Sequence, residues 1–237
     1  MCPDRGPSCQ GAGDSVNAAE MFRAATNVAP KFALAFLNLG ASLTVSPQET
    51  WLLSTHSNDL LPQALAQWDE AIEALQRSRP LLPEQSPLLP EYYNRLGIAL
   101  LKRGWADNRL EPVKDAAALL REGASRYPKH REILANLAEA SLLCGNFSES
   151  VAANCDVLVL VRDEQHRVPN GHDELITSLS RCIQAKRHGV HWAGLGRLER
   201  EIATALQRYT RSHAPLNWLK FLSVLFDRAG KRVHLRQ

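Results

Sequence analysis

Side chains with chemistry to offer are few and scattered along these 237 residues. Cys182, His188 and His191, with His172 as a fourth, come nearest to a metal cluster. Zinc asks for ligands at short convergent spacings such as CxxC or HxxxH, and His188-Gly-Val-His191, read as a loop, meets that poorly. No metal is therefore expected. Asp69, Glu70 and Glu73 follow Trp68 on what reads as the outer side of a helix, a solvated face rather than an acid/base pair. There is no GxxxxGKS/T, no GxGxxG after a strand, no HExxH and no GxSxG. Neither a catalytic centre nor a cofactor is expected, and the balance leans away from an enzyme.

The elements that carry these residues are helices in a repeating phase. Phe36, Leu39, Gly40 and Leu43 fall at i, i+3, i+4 and i+7, one face of a 3.6-residue helix. The same face recurs as Tyr93, Leu96, Gly97 and Leu100, with Gly104 expected to end that helix. It recurs again as Leu134, Leu137, Ala138 and Ser141, with Gly145 at the end. Partner helices carry Ala18–Phe22–Ala25, Ala64–Trp68–Ala71 and Ala116–Leu120–Gly123. A small residue in such a face lets a neighbouring backbone approach, and the large residues beside it fill the flanks. Ala18 precedes Gly40 by 22 residues, and Ala116 precedes Ala138 by the same 22. That phase locking marks stacked helix pairs.

On these residues, 15–162 resembles the tetratricopeptide (TPR) repeat family, whose unit is about 34 residues of helix–turn–helix. The match is close over 15–44 and 90–160 and degenerate elsewhere. Gly40 to Gly97 is 57 residues, 23 beyond one period, of which 12 are assigned to a loop at 45–60 and 11 to the joint before Pro90. Gly97 to Ala138 is 41, and the extra seven are assigned near Trp105–Val113. Ser150 and Asn154 stand where a small and an aromatic residue belong, which weakens the last helix as a match. The resemblance implies an all-α, TPR-like α-solenoid of antiparallel helix pairs. It also implies a concave groove lined by the first helix of each pair, with the residue two before the small one facing it. Here those are Asn38, Arg95 and Asn136, with Asn94 and Lys102 adding polarity on the exposed side of the same helix. Asparagine can pair with a peptide backbone through its amide. Arginine favours a carboxylate, so a protein or peptide partner, acidic where it meets Arg95, is expected.

The remaining stretches fill out the organisation. Residues 1–13 read as a disordered tail, 14–162 as the repeats and 163–237 as a basic helical C-terminal cap. The joint at 78–90 repeats Pro-Leu-Leu-Pro-Glu, at Pro80–Glu84 and Pro87–Glu91. It reads as a stiff linker with leucines packed on the repeats, ahead of a ligand for an SH3-like partner. The first recognisable helix, about 15–28, matches the second of a pair. Residues 181–237 hold 12 Lys/Arg against Glu199, Glu201 and Asp227, whereas the whole chain is only +3. That asymmetry fits a solvated face, or contact with nucleic acid or an anionic membrane surface through Arg228, Lys231 and Arg232. The last helix, about Pro215–Ala229, is amphipathic and reads as the end cap. Five unpaired-looking cysteines, no secretory leader and no apolar run of about 18 residues point to the cytoplasm. The Asn146-Phe147-Ser148 sequon reads as chance. A non-catalytic adaptor or scaffold is the leading expectation. Its rivals are a recognition arm of a larger repeat enzyme, of glycosyltransferase or sulfotransferase type, and a binder of nucleic acid or anionic surfaces.

Overall fold

The computed structural model describes residues 7–44, 61–164, 171–188 and 196–201. Eight α-helices occupy most of these, and no strand is found among the described residues. They are α1 (Pro7–Val28), α2 (Ala33–Thr44), α3 (Leu61–Ser78), α4 (Leu89–Ala106), α5 (Leu110–Arg126), α6 (Arg131–Leu143), α7 (Phe147–Glu164) and α8 (Gly171–His188). The chain divides into two compact units, Met1–Pro128 and Lys129–Gln237. In the first, α1 packs on α2, α2 on α3, α3 on α4 and α4 on α5, with α2 also touching α4. In the second, α6 packs on α7 and α7 on α8.

The small–large spacing of the sequence is the reason the first unit pairs as it does. A Cβ built on Gly40 would lie 2.4 Å from Leu75 Cγ, and one on Gly97 2.5 Å from Leu120 Cδ2. Each glycine thus admits the leucine of the paired helix at a distance no side chain allows. Leu75 follows Gly40 by 35 residues and Leu120 follows Gly97 by 23, so the pairing is the same once the 12-residue insertion is removed. Ala64, Trp68 and Ala71 of α3 and Ala116, Leu120 and Gly123 of α5 are all buried. Their counterparts on α1, namely Ala18, Phe22 and Ala25, are only half-buried.

The seven extra residues at 105–113 are not a loop. Helix α4 runs past Gly104 to Ala106. It closes in a Schellman turn with Asn108 at φ 52, where Arg109 N–H donates to Gly104 O (2.8 Å) and Asn108 N–H to Trp105 O (3.3 Å). Helix α6 closes in the same way at Gly145 (φ 77), through Asn146 N–H to Ser141 O (2.8 Å) and Gly145 N–H to Leu142 O (3.1 Å). The left-handed residue lies 11 after Gly97 but seven after Ala138, so α4 carries four of the extra residues. The other three lengthen the start of α5, whose Ala116 is its seventh residue where Ser150 is the fourth of α7. Gly104 is therefore a packing glycine rather than a stop. A Cβ there would lie 2.7 Å from Val113 Cγ2, in the added turn of the antiparallel pair.

The proline joint behaves as a packed linker. Arg79–Leu81 is a 3-10 turn, Leu82 and Leu89 are buried, and Pro90 sits in the first turn of α4, where a missing N–H costs nothing. Arg79 and Arg126 both hold Glu84 (Arg126 Nη1 to Oε2, 2.8 Å), fastening the joint to α5. In the second unit, Ser150 is buried where the family has a small residue, and its hydroxyl donates to Ala138 O (2.7 Å). Asn154 Nδ2 donates to Ser150 O (2.9 Å), so both polar substitutions are satisfied inside a well-formed pair. Phe147 at the start of α7 stacks on His188 at the end of α8 (6.4 Å between centroids), so these two helices are antiparallel.

Helix α1 begins at Pro7, inside the stretch 1–13 expected to be a tail; residues 1–6 lie outside the described residues. So do the insertion at 45–60 and most of the expected basic cap, 202–237 included. The described part of that cap is helical, at α8 and 196–201.

Candidate functional site

Asn38 and Arg95 occupy equivalent positions on α2 and α4, neighbouring helices of the first unit. Asn38 is half-buried and its backbone carbonyl accepts from Ser42 Oγ (2.8 Å). Among the described residues nothing is hydrogen-bonded to its carboxamide, which keeps one donor group and one acceptor unspent. Arg95 has 31% of its side chain exposed and pairs through Nε with Glu91, one turn earlier. The pair is neutral, so the pull on an acidic ligand is weaker than a lone arginine would exert. Only Nε of the guanidinium is used in that pair. The Glu91–Arg95 spacing of i, i+4 was legible in the sequence and was the missed signal.

The other expected site residues divide. Lys102 Nζ donates to Thr44 O (2.8 Å), so it caps the last carbonyl of α2 and ties α4 to it rather than standing on an exposed side. Asn94 is half-buried on α4 and makes a contact within the protein. Asn136 is half-buried on α6, in the second unit, and is likewise engaged. Arg228, Lys231 and Arg232 lie outside the described residues.

The acidic run on α3 makes interhelical ion pairs. Glu70 takes Arg23 of α1 in a fork (2.8 and 3.0 Å), and Asp69 accepts from Arg103 Nε of α4 (2.7 Å). Arg103 also reaches Asp107 (3.0 Å) and is only 16% exposed, so these carboxylates hold three helices in register. Burial is the largest influence on the Arg103 guanidinium and opposes its charge, but the two carboxylates outweigh it and raise its pKa. At the other end of α4, the Tyr93 hydroxyl donates to Glu122 Oε1 of α5 (2.6 Å). Burial first, and then this bond, push the Tyr93 phenol up to about 12. Among the described residues no group of three or more His, Cys, Asp or Glu could hold a metal, and no helix is long and apolar enough to cross a membrane. His191 and the side chain of His172 lie outside the described residues.

No protein-family model matches the sequence, and no curated protein does. Solved structures do match. Among them is a Podospora anserina protein of nearly identical TPR-like repeats, described as a kinesin light chain. It aligns with a TM-score of 0.57 at 16% identity, over 84% of this chain and 90% of its own. The chain therefore has a TPR-like, all-α solenoid fold, as the spacing of Gly40, Gly97 and Ala138 implied.

Proposed function

We propose that this chain is a non-catalytic interaction scaffold that holds an extended peptide or a helix of a partner protein along α2 and α4. The observation that carries this is Asn38. It is a half-buried asparagine at the groove position of a TPR-like helix, with its amide unspent among the described residues. In a solvent-screened groove such an amide satisfies one peptide unit of any sequence. Arg95 supplies a second anchor for a carboxylate once Glu91 is outcompeted. Asn94 on α4 is a secondary contact in this reading. Cytoplasmic residence fits a chain whose described cysteines are free thiols.

The test is capture of partners from native lysate by the intact chain and by an Asn38→Ala/Arg95→Ala variant, each at low and moderate salt. Captured partners are then remeasured as purified peptides by calorimetry. Peptides lost by the variant but kept at moderate salt establish groove binding. Equal affinity for both proteins removes it. Ligands kept by the variant and lost with salt, nucleic acid included, move binding to the basic 181–237 stretch.

A further inference from the structure

We propose that Cys155 and Cys182 form a hydroperoxide-oxidised dithiol site whose reversible disulfide clasps α7 to α8. The two Sγ atoms face each other 3.3 Å apart across the packed pair of helices in the second unit. Both are free thiols, Cys182 with no exposed surface and Cys155 half-buried, so an oxidant meets Cys155 first. A disulfide needs the sulfurs at about 2.05 Å, which asks for a closure of little more than 1 Å by side-chain rotation. Packed helices with axes about 8–10 Å apart bring facing Cα atoms into the range a disulfide spans.

The environment divides the labour between the two sulfurs. The hydrogen bond shared with Cys182 holds the Cys155 thiol below the usual range; Lys186 and Arg162 add to this, while burial and Asp156 oppose it. Cys182 is pushed the other way, by that same shared hydrogen bond and by burial, and keeps its proton. The thiolate is the nucleophile towards peroxide, and the exposed, low-pKa partner of a pair is the one that reacts. The Cys155 thiolate attacks one peroxide oxygen. An S–O bond forms, the O–O bond breaks, and the departing alkoxide or hydroxide takes the proton Cys155 gave up. Cys155 is thereby oxidised to the sulfenic acid and the hydroperoxide is reduced to an alcohol or water. Cys182 sulfur then attacks Cys155 sulfur. The S–S bond forms, the S–O bond breaks, and hydroxide leaves with the Cys182 proton as water. Two thiols and one hydroperoxide become one disulfide, one alcohol or water, and one water. Thiol–disulfide exchange with a small dithiol reverses it.

The experiment treats the reduced, full-length chain with hydrogen peroxide, blocks remaining thiols with iodoacetamide, and maps peptides without reduction. The expected product is a Cys155–Cys182 linked peptide about 2 Da lighter than its two thiol halves, abolished by dithiothreitol. In a Cys182→Ala variant the reaction should stop at Cys155 as a sulfenic acid, trapped by dimedone. In a Cys155→Ser variant, Cys182 should stay unmodified. The site is refuted if wild-type Cys155 and Cys182 are both recovered as iodoacetamide adducts after peroxide. It is equally refuted if any disulfide formed leaves them out, or if they link only in urea. The wild-type map decides the matter whether or not either variant folds.

Discussion

Replacing Gly97 with alanine tests the packing rule on which the fold rests. The new methyl carbon would sit 2.5, 2.7 and 2.9 Å from Leu120 Cδ2, Cγ and Cδ1. Carbon atoms prefer about 3.5–4.0 Å, so the overlap is roughly 1 Å with three atoms at once. Leu120 is 0% exposed and has no solvent to swing into, so α4 and α5 must part or Leu120 must leave its rotamer. Overpacking of this kind costs about 1–3 kcal/mol. Alanine in mid-helix returns about 1 kcal/mol of propensity. A net loss of about 0–2 kcal/mol is expected for Gly97→Ala. Leu120→Ala alone should cost about 2–5 kcal/mol. It also vacates the space the new methyl needs, so Gly97→Ala in that background should stabilise by about 1 kcal/mol. The effect of one substitution thus shifts with the other, a coupling of about 1–3 kcal/mol. Urea unfolding of the four full-length proteins, followed by far-UV circular dichroism, measures it. Effects that add to within about 0.5 kcal/mol, or a Gly97→Ala protein more stable than wild type, would refute the close approach.

Three further outcomes can be stated. Tyr93 has its phenol raised from about 10 to about 12, so the protonated form stabilises the fold fully below pH 10 and this is lost between pH 10 and 12. The stability difference between wild type and Tyr93→Phe should be flat below pH 10 and shrink by about 2 kcal/mol above it, and a flat difference throughout would contradict the Glu122 bond. Arg103→Ala should cost about 1–3 kcal/mol, since a 16% exposed guanidinium leaves Asp69 unpaired and Asp107 with only Arg109 at 3.9 Å. Arg23→Ala, with 43% exposure, should cost under about 1 kcal/mol, and equal losses in urea unfolding would count against burial as the difference. Gly145→Ala, at φ 77 with open space around its Cβ, should lose about 1–2 kcal/mol from backbone strain alone. A loss that persists in Gly145→Asn, which tolerates that conformation, would point elsewhere.

Local periodicity decides much of this protein. A glycine or alanine every repeat in a helical face needs a large residue on the next helix, so the packing faces at Gly40 and Gly97 were legible in the sequence, whereas Leu75 and Leu120 as the residues that fill them came from the structure. The Gly145 turn, the packed leucines of the proline joint and the TPR-like fold class were legible for the same reason, since each rests on residues near one another in sequence. Tertiary structure alone decided what a residue type does when two roles share it. Gly104 looks like a helix stop but is a gap for Val113, because Asn108 supplied the left-handed turn one turn later. Lys102 looks like a surface cation but caps Thr44 across 58 residues of chain, and Asp69 and Glu70 look solvated but bind arginines on other helices. The meeting of Cys155 with Cys182 belongs to the same class. Spacing along a chain specifies which face of a helix a residue occupies, whereas the partner across that face depends on how far the intervening loop lets the next helix slide.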